Sequence, residues 1–207
     1  MRAVGLLLAI LVLAAAAHGG EVRGRVVDAE GRPLADAFVF APDLPAAPAP
    51  AAAVMDQVGK EFVPHALAVP VGTLVRFPNR DDIHHHVYSF SRSKTFELPL
   101  YKGEAAPPVR FDAPGVVKLG CNIHDWMSGV VLVVPNAHVA RTDADGRFVL
   151  VGLPSGAQRL VVWHERSETA PDATARSVAA GDVEPEFRLA VRPPTVRPPV
   201  LGARGMP

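Results

Sequence analysis

Cys121-Asn122-Ile123-His124-Asp125-Trp126-Met127 sets a thiol, an imidazole and a thioether at successive spacings of three residues. The segment follows a short apolar run, Val116 to Leu119, so it reads as a loop leaving a β-strand, and such a loop can fold all three side chains around one point. Thiolate and thioether are soft donors, which select copper or zinc over magnesium or calcium. Zinc gains little from a thioether, so the sulfur pair favours copper. Two histidines, one cysteine and a weak axial methionine form the ligand set of blue-copper electron-transfer sites. The second histidine must come from elsewhere, and Ile83-His84-His85-His86-Val87 lies upstream. If Val87 faces the core, strand alternation puts His85 on its face and turns His84 and His86 away. His85 is the predicted ligand, with His86 as the alternative, because a slip of one residue exchanges the two faces.

Other candidates read differently. Cys121 is the one cysteine of the chain. A lone cysteine is more often a buried small hydrophobe than a ligand, and its spacing to His124 and Met127 is what reverses that reading. His65, beside Pro64, is expected to be exposed. Asp143 and Asp145 lack the remaining positions of a calcium loop and are read as turn residues.

The elements that must hold these residues are short and of β type. Val22 to Val27, the turn Asp28 to Pro33, and Ala37 to Phe40 read as strand, turn, strand. Ala66 to Val69, Thr73 to Phe77, His86 to Phe90, Val116 to Leu119 and Val130 to Val134 follow, with no helical period over a useful length. Val139 to Thr142, Arg147 to Val151 and Leu160 to Trp163 are paired strands around the hairpin signal Asp145-Gly146. The fold class is therefore all-β. Pro42 to Ala53, nearly all proline and alanine, reads as a solvated linker. The two outer parts resemble each other in style, and each is too short to close a sandwich alone. Residues 21–45 and 137–190 are expected to form one β-sandwich, with 54–135 a second sandwich inserted into it. The segment 191–207, rich in proline, glycine and arginine, reads as a disordered tail.

Taken together, Phe62-x-Pro64, the run Val69 to Phe77 with Gly72-Thr73, Asn79-x-Asp81, the histidine before Val87 and Cys121-x-x-His124-x-x-Met127 resemble a cupredoxin, a Greek-key β-sandwich. The short Cys-to-Met loop is most similar to that of amicyanin. His85 to Phe90 and Cys121 to Met127 resemble plastocyanin-like proteins labelled methylamine utilisation proteins. The resemblance implies one type 1 copper held by His85, Cys121, His124 and Met127, with His124 the edge for electron exit. Where cupredoxins often carry Pro before and Asn after the first ligand histidine, this chain has His84 and His86, and Trp126 puts a large aromatic inside the ligand loop. The backbone around Asn79 and Asn122 is expected to orient the ligands. The outer parts resemble a carboxypeptidase regulatory-like, carbohydrate-binding-like fold through Gly24-x-Val26-x-Asp28, Gly31-x-Pro33, Thr142-Asp143-x-Asp145-Gly146-x-Phe148 and Leu153-Pro154-x-Gly156. Those motifs are mostly turn chemistry and carry no activity. Glycan binding is not inferred from them, since the sequence shows no stacked aromatic platform.

Charge and targeting narrow the functional classes. Lys plus Arg balances Asp plus Glu at 21 each, so no global field draws in nucleic acid or an anionic membrane. Residues 1–17, with Arg2, the apolar run Val4 to Leu13 and Ala14 to Ala17, read as a signal peptide. The product is then expected to be periplasmic or secreted, starting near His18 and without a membrane span, because the apolar run falls short of about 20 residues; an uncleaved N-terminal anchor is the alternative. No acid, base or nucleophile constellation accompanies the metal motif, so no enzymatic turnover is expected. The expected role is a carrier of single electrons between partner proteins, and its rivals are copper storage or delivery and a non-catalytic glycan- or protein-binding module.

Overall fold

The computed structural model describes residues 20–46, 52–179 and 184–194. The segment read as a signal peptide lies outside these residues, as does the tail beyond 194. The strands are β1 (Gly20–Asp28), β2 (Phe38–Phe40), β3 (Ala53–Val54), β4 (Asp56–Val58), β5 (Glu61–Val63), β6 (Ala66–Pro70), β7 (Leu74–Arg76) and β8 (His85–Ser91). They continue with β9 (Lys94–Tyr101), β10 (Val109–Arg110), β11 (Gly115–Gly120), β12 (Ser128–Val134), β13 (Val139–Arg141), β14 (Arg147–Leu153), β15 (Ala157–Trp163), β16 (Arg176–Ala179) and β17 (Glu186–Leu189). A single turn of 3-10 helix, Pro171–Thr174, is the one helical element among the described residues. The fold is all-β, and no helix among those residues is long and apolar enough to cross a membrane.

Strand β12 explains the layering. Its sequence, Ser-Gly-Val-Val-Leu-Val-Val, is buried from Gly129 onward without alternation, which is how a strand covered on both faces reads. It lies inside a five-stranded sheet ordered β6-β12-β11-β8-β9, parallel to β6 and antiparallel to β11. Val131 and Val133 point to a core shared with Phe62, Val75, Phe77, Val87, Phe111 and Val117. Val130, Leu132 and Val134 point the other way, onto Phe38, Phe40, Val161 and Trp163. Those four belong to β2 and β15 of a second sheet, ordered β13-β2-β15-β16. The intervening residues Val39, Leu160 and Val162 face a third core with Val22, Val26, Phe148, Leu150 and Phe187. Successive faces of three strands thus stitch three cores together.

Several sequence readings change here. Lys94–Tyr101 is a strand of eight residues that is not among the runs expected from the sequence, and it contains Pro99, a residue that argues against a strand interior. Its place at the edge of the five-stranded sheet removes the objection, since an edge strand has one row of N–H groups without a ladder partner. The stretch read as a linker is tied down at both ends. Asn136 Nδ2 donates to the carbonyls of Ala41 at 2.8 Å and Leu44 at 2.9 Å, and Ala53 pairs with Val75 of β7. The start of the predicted tail is also bonded: Val191 bridges to Ser167, and Arg192 N–H donates to Arg166 O at 2.9 Å. His65 is half-buried, with Nε2 2.7 Å from the Glu165 carboxylate.

The turn Asp143 to Gly146 behaves as its composition implies. Asp143 Oδ1 accepts from the N–H groups of Asp145 and Arg147 at 2.9 and 2.8 Å, and Gly146 has φ +73°. A Cβ on Gly146 would stand 2.4 Å from the Val26 carbonyl oxygen. Gly146→Ala is therefore expected to destabilise the protein by more than about 1 kcal/mol, read as a lower urea midpoint. A midpoint equal to that of the parent would show that the turn can relax.

His164, 5% exposed, accepts the Arg166 N–H at Nδ1 over 3.0 Å. Burial first, and then Arg166, push its pKa below the ordinary 6.5. Between that lowered value and 6.5 the unfolded chain binds more protons, so stability rises with pH across this window and the contribution is complete above it. Denaturation of the metal-free protein at pH 5 and pH 7.5 should show this gain, and His164→Gln should shrink it.

Candidate metal centre

The loop between β11 and β12 is short and internally closed. Cys121 N–H donates to Met127 O at 3.2 Å and Met127 N–H donates to His124 O at 2.9 Å. These bonds curl the chain so that residues 121, 124 and 127 return to one neighbourhood. Cys121 is 4% and Met127 1% exposed, and both side chains belong to the core that includes Val117 and Val131. Across from the loop, β8 runs antiparallel to β11, with Gly120 paired to Tyr88. A Cβ on Gly120 would lie 2.7 Å from the Tyr88 ring, so the bare backbone lets β8 approach the residue that precedes Cys121.

At the start of β8, His85 is fully buried. One donor atom each from His85, Cys121 and His124 lie within 4.8 Å of one another. The Cys121 Sγ to His124 Nδ1 distance is 3.9 Å, and the His85 and His124 rings meet edge-on with centroids 5.0 Å apart. His85 Nε2 is held at 2.7 Å by Asp81 Oδ2, while its Nδ1 is buried with no hydrogen-bond partner. Leaving such a nitrogen unpaired costs about 1–3 kcal/mol, a cost that a metal bond at Nδ1 would relieve.

Electrostatics prepare the same nitrogens. Burial lowers the pKa of His124, with His85 and Lys60 acting in the same direction against a weaker pull from Asp81. His124 is then neutral at pH 7, with a lone pair available. For Asp81, burial pushes its pKa up, but hydrogen bonds from His85, Lys60 and Gly59 outweigh it and hold the carboxyl below its ordinary range. A buried thiol flanked by two imidazoles, one with an unpaired nitrogen, is a donor set that fits a transition-metal ion.

No protein-family model matches the chain, and no curated protein does. Among solved structures, the chain is similar to a purple cupredoxin from Nitrosopumilus maritimus at 26% identity, over 41% of this chain and 99% of that one, with a TM-score of 0.35. It is also similar to the reduced form of an amicyanin variant at 28% identity, over 46% of this chain and 90% of the other, with a TM-score of 0.38. A third similarity is to a copper-containing nitrite reductase from Thermus scotoductus SA-01 at 25% identity, over 52% of this chain and 28% of that chain, with a TM-score of 0.38.

The remaining named residues divide clearly. His84 is exposed. His86 is buried on the opposite face from His85, its Nε2 2.7 Å from Glu97 Oε1 and its ring 5.5 Å from that of Tyr88. Asn79 is 3% exposed and braces the 79–85 turn: Nδ2 donates to Ile83 O and Tyr101 O, each at 2.9 Å, and Oδ1 accepts from Asp81 N–H at 3.0 Å. Asn122 is exposed. Trp126 is 47% exposed, with its ring 5.4 Å from that of His124. Asp81 is the residue the sequence reading missed as a partner of His85. The available signal was its place four residues before His85 in a turn, too common a spacing to single it out.

Proposed function

We propose that this chain binds copper through His85, Cys121, His124 and Met127 and passes single electrons between partner proteins. The observation that carries the reading is the convergence of one sulfur and two imidazole nitrogens within 4.8 Å, in a buried place where His85 Nδ1 has no other partner. Copper, when bound, supplies one-electron cycling between Cu(I) and Cu(II). The chain's own contribution is rigid placement. Cys121 and Met127 are clamped by backbone bonds within one loop, and His85 is fixed by Asp81. Burial of Cys121, Met127 and His85 keeps water from the donors. With four protein donors no position is left for a substrate, so turnover is not part of the reading. His124, less buried than His85 and flanked by exposed Ile123 and Trp126, is the proposed edge for exchange with a redox partner. Residues 1–17 are proposed to direct export to the periplasm or beyond the cell.

The test is to add one equivalent of Cu(II) to the mature chain and record the visible spectrum before and after ascorbate. An intense band that saturates at one copper per chain and bleaches on reduction is expected. A colourless complex, or more than one copper lost readily to a mild chelator, would replace this reading with storage or delivery of the ion.

A further inference from the structure

The hairpin β4–β5 has a two-residue turn, Gly59-Lys60, and both residues have φ near +62°. That is the backbone of the tight hairpin turn whose second central position strongly favours glycine. Lysine there is strained, at about 1–3 kcal/mol, and strain of this kind persists where the surroundings over-determine it. Besides the β4–β5 ladder, one side chain holds this turn. Asp81 Oδ1 accepts from Gly59 N–H at 2.6 Å, and Asp81 Oδ2 accepts from Lys60 N–H at 2.8 Å. Asp81 Oδ2 also meets His85 Nε2 at 2.7 Å. An oxygen that accepts from a backbone N–H and carries the charge of a carboxylate leaves His85 Nε2 only the donor's role. The proton then resides on Nε2, and Nδ1, buried without a hydrogen-bond partner, keeps its lone pair free for a metal ion.

We infer that Asp81, locked by the Gly59-Lys60 turn, is a positioning residue that fixes the tautomer of His85 and, through its charge, favours the more highly charged state of the bound ion. The second half of this inference rests on the copper reading above; the first does not. Asparagine cannot take over the role, because an amide has one acceptor oxygen and would turn its NH2 toward a backbone N–H.

The first measurement needs no metal and no variant. Long-range proton–nitrogen correlation on 15N-labelled, metal-free protein at pH 8 should show His85 solely as the Nε2–H tautomer. An Nδ1–H form, or a mixture, would overturn the inference even if copper binds well. In Asp81→Asn, checked for folding by circular dichroism, the tautomer should become mixed and Cu(II) affinity should fall about 10–100-fold. The reduction potential should rise, by about 59 mV for each tenfold loss of Cu(II) affinity relative to Cu(I). A folded Asp81→Asn protein with the parent's affinity and potential would reduce Asp81 to a brace for the hairpin. Failure of the parent to bind copper would sink the function proposed above while leaving the tautomer result standing.

Discussion

Cys121→Ser is expected to abolish the intense visible absorption of the copper-loaded protein and to weaken Cu(II) binding, whereas the metal-free chain keeps its fold. The band requires charge transfer from a thiolate, and a serine hydroxyl remains protonated at neutral pH, offering a hard, weak donor in its place. Burial complicates the comparison. Cys121 sits at 4% exposure among apolar neighbours that include Val117, Leu119 and Met127, where a hydroxyl without a partner costs about 1–3 kcal/mol. Cys121→Ala, which introduces no polar atom, separates the two effects. Both variants should be colourless with Cu(II), and the alanine variant should be the more stable of the two if the hydroxyl finds no partner. An intense band surviving in either would remove Cys121 from the site and move copper to another set of donors.

The largest effect on stability is expected from Trp163→Ala. Trp163 is 5% exposed and lies in the core that joins the back of the five-stranded sheet to β2 and β15. Its ring stacks on Phe38, with centroids 6.4 Å apart and planes 16° from parallel. Truncating a buried tryptophan removes its transfer energy and leaves a cavity that neighbours fill only in part, at a cost of about 3–5 kcal/mol. Urea unfolding should show that loss. The copper band of the folded variant should be unchanged, because Val130, Leu132 and Val134 separate this core from the face of β12 that carries Val131 and Val133. A loss below about 1 kcal/mol would mean that the two sheets are held together by something other than this packing.

Much of the architecture is written locally. The unbroken apolar run Val130 to Val134 announces a strand covered on both faces, and alternation around Val87 separates the face of His85 from that of His86. The turn Asp143 to Gly146 follows from side-chain chemistry that acts within four residues. The Cys121, His124, Met127 spacing works the same way, since the loop is closed by its own backbone bonds. These features are legible because each depends on neighbours in the chain.

Contacts between distant segments are another matter. Pro99 argues against a strand until β9 is known to lie at a sheet edge, and Pro42 to Ala53 looks free until Asn136, far along the chain, is seen to bond the carbonyls at its start. The partner of His85 is of this kind. Nothing in Asp81 itself distinguishes it from Asp82, and it acquires its role because the Gly59-Lys60 turn delivers two N–H groups to its carboxylate. Donor types and their local spacing are properties of the sequence. Which nitrogen of His85 faces the other donors depends on hydrogen bonds among segments that meet only when the sheets have packed.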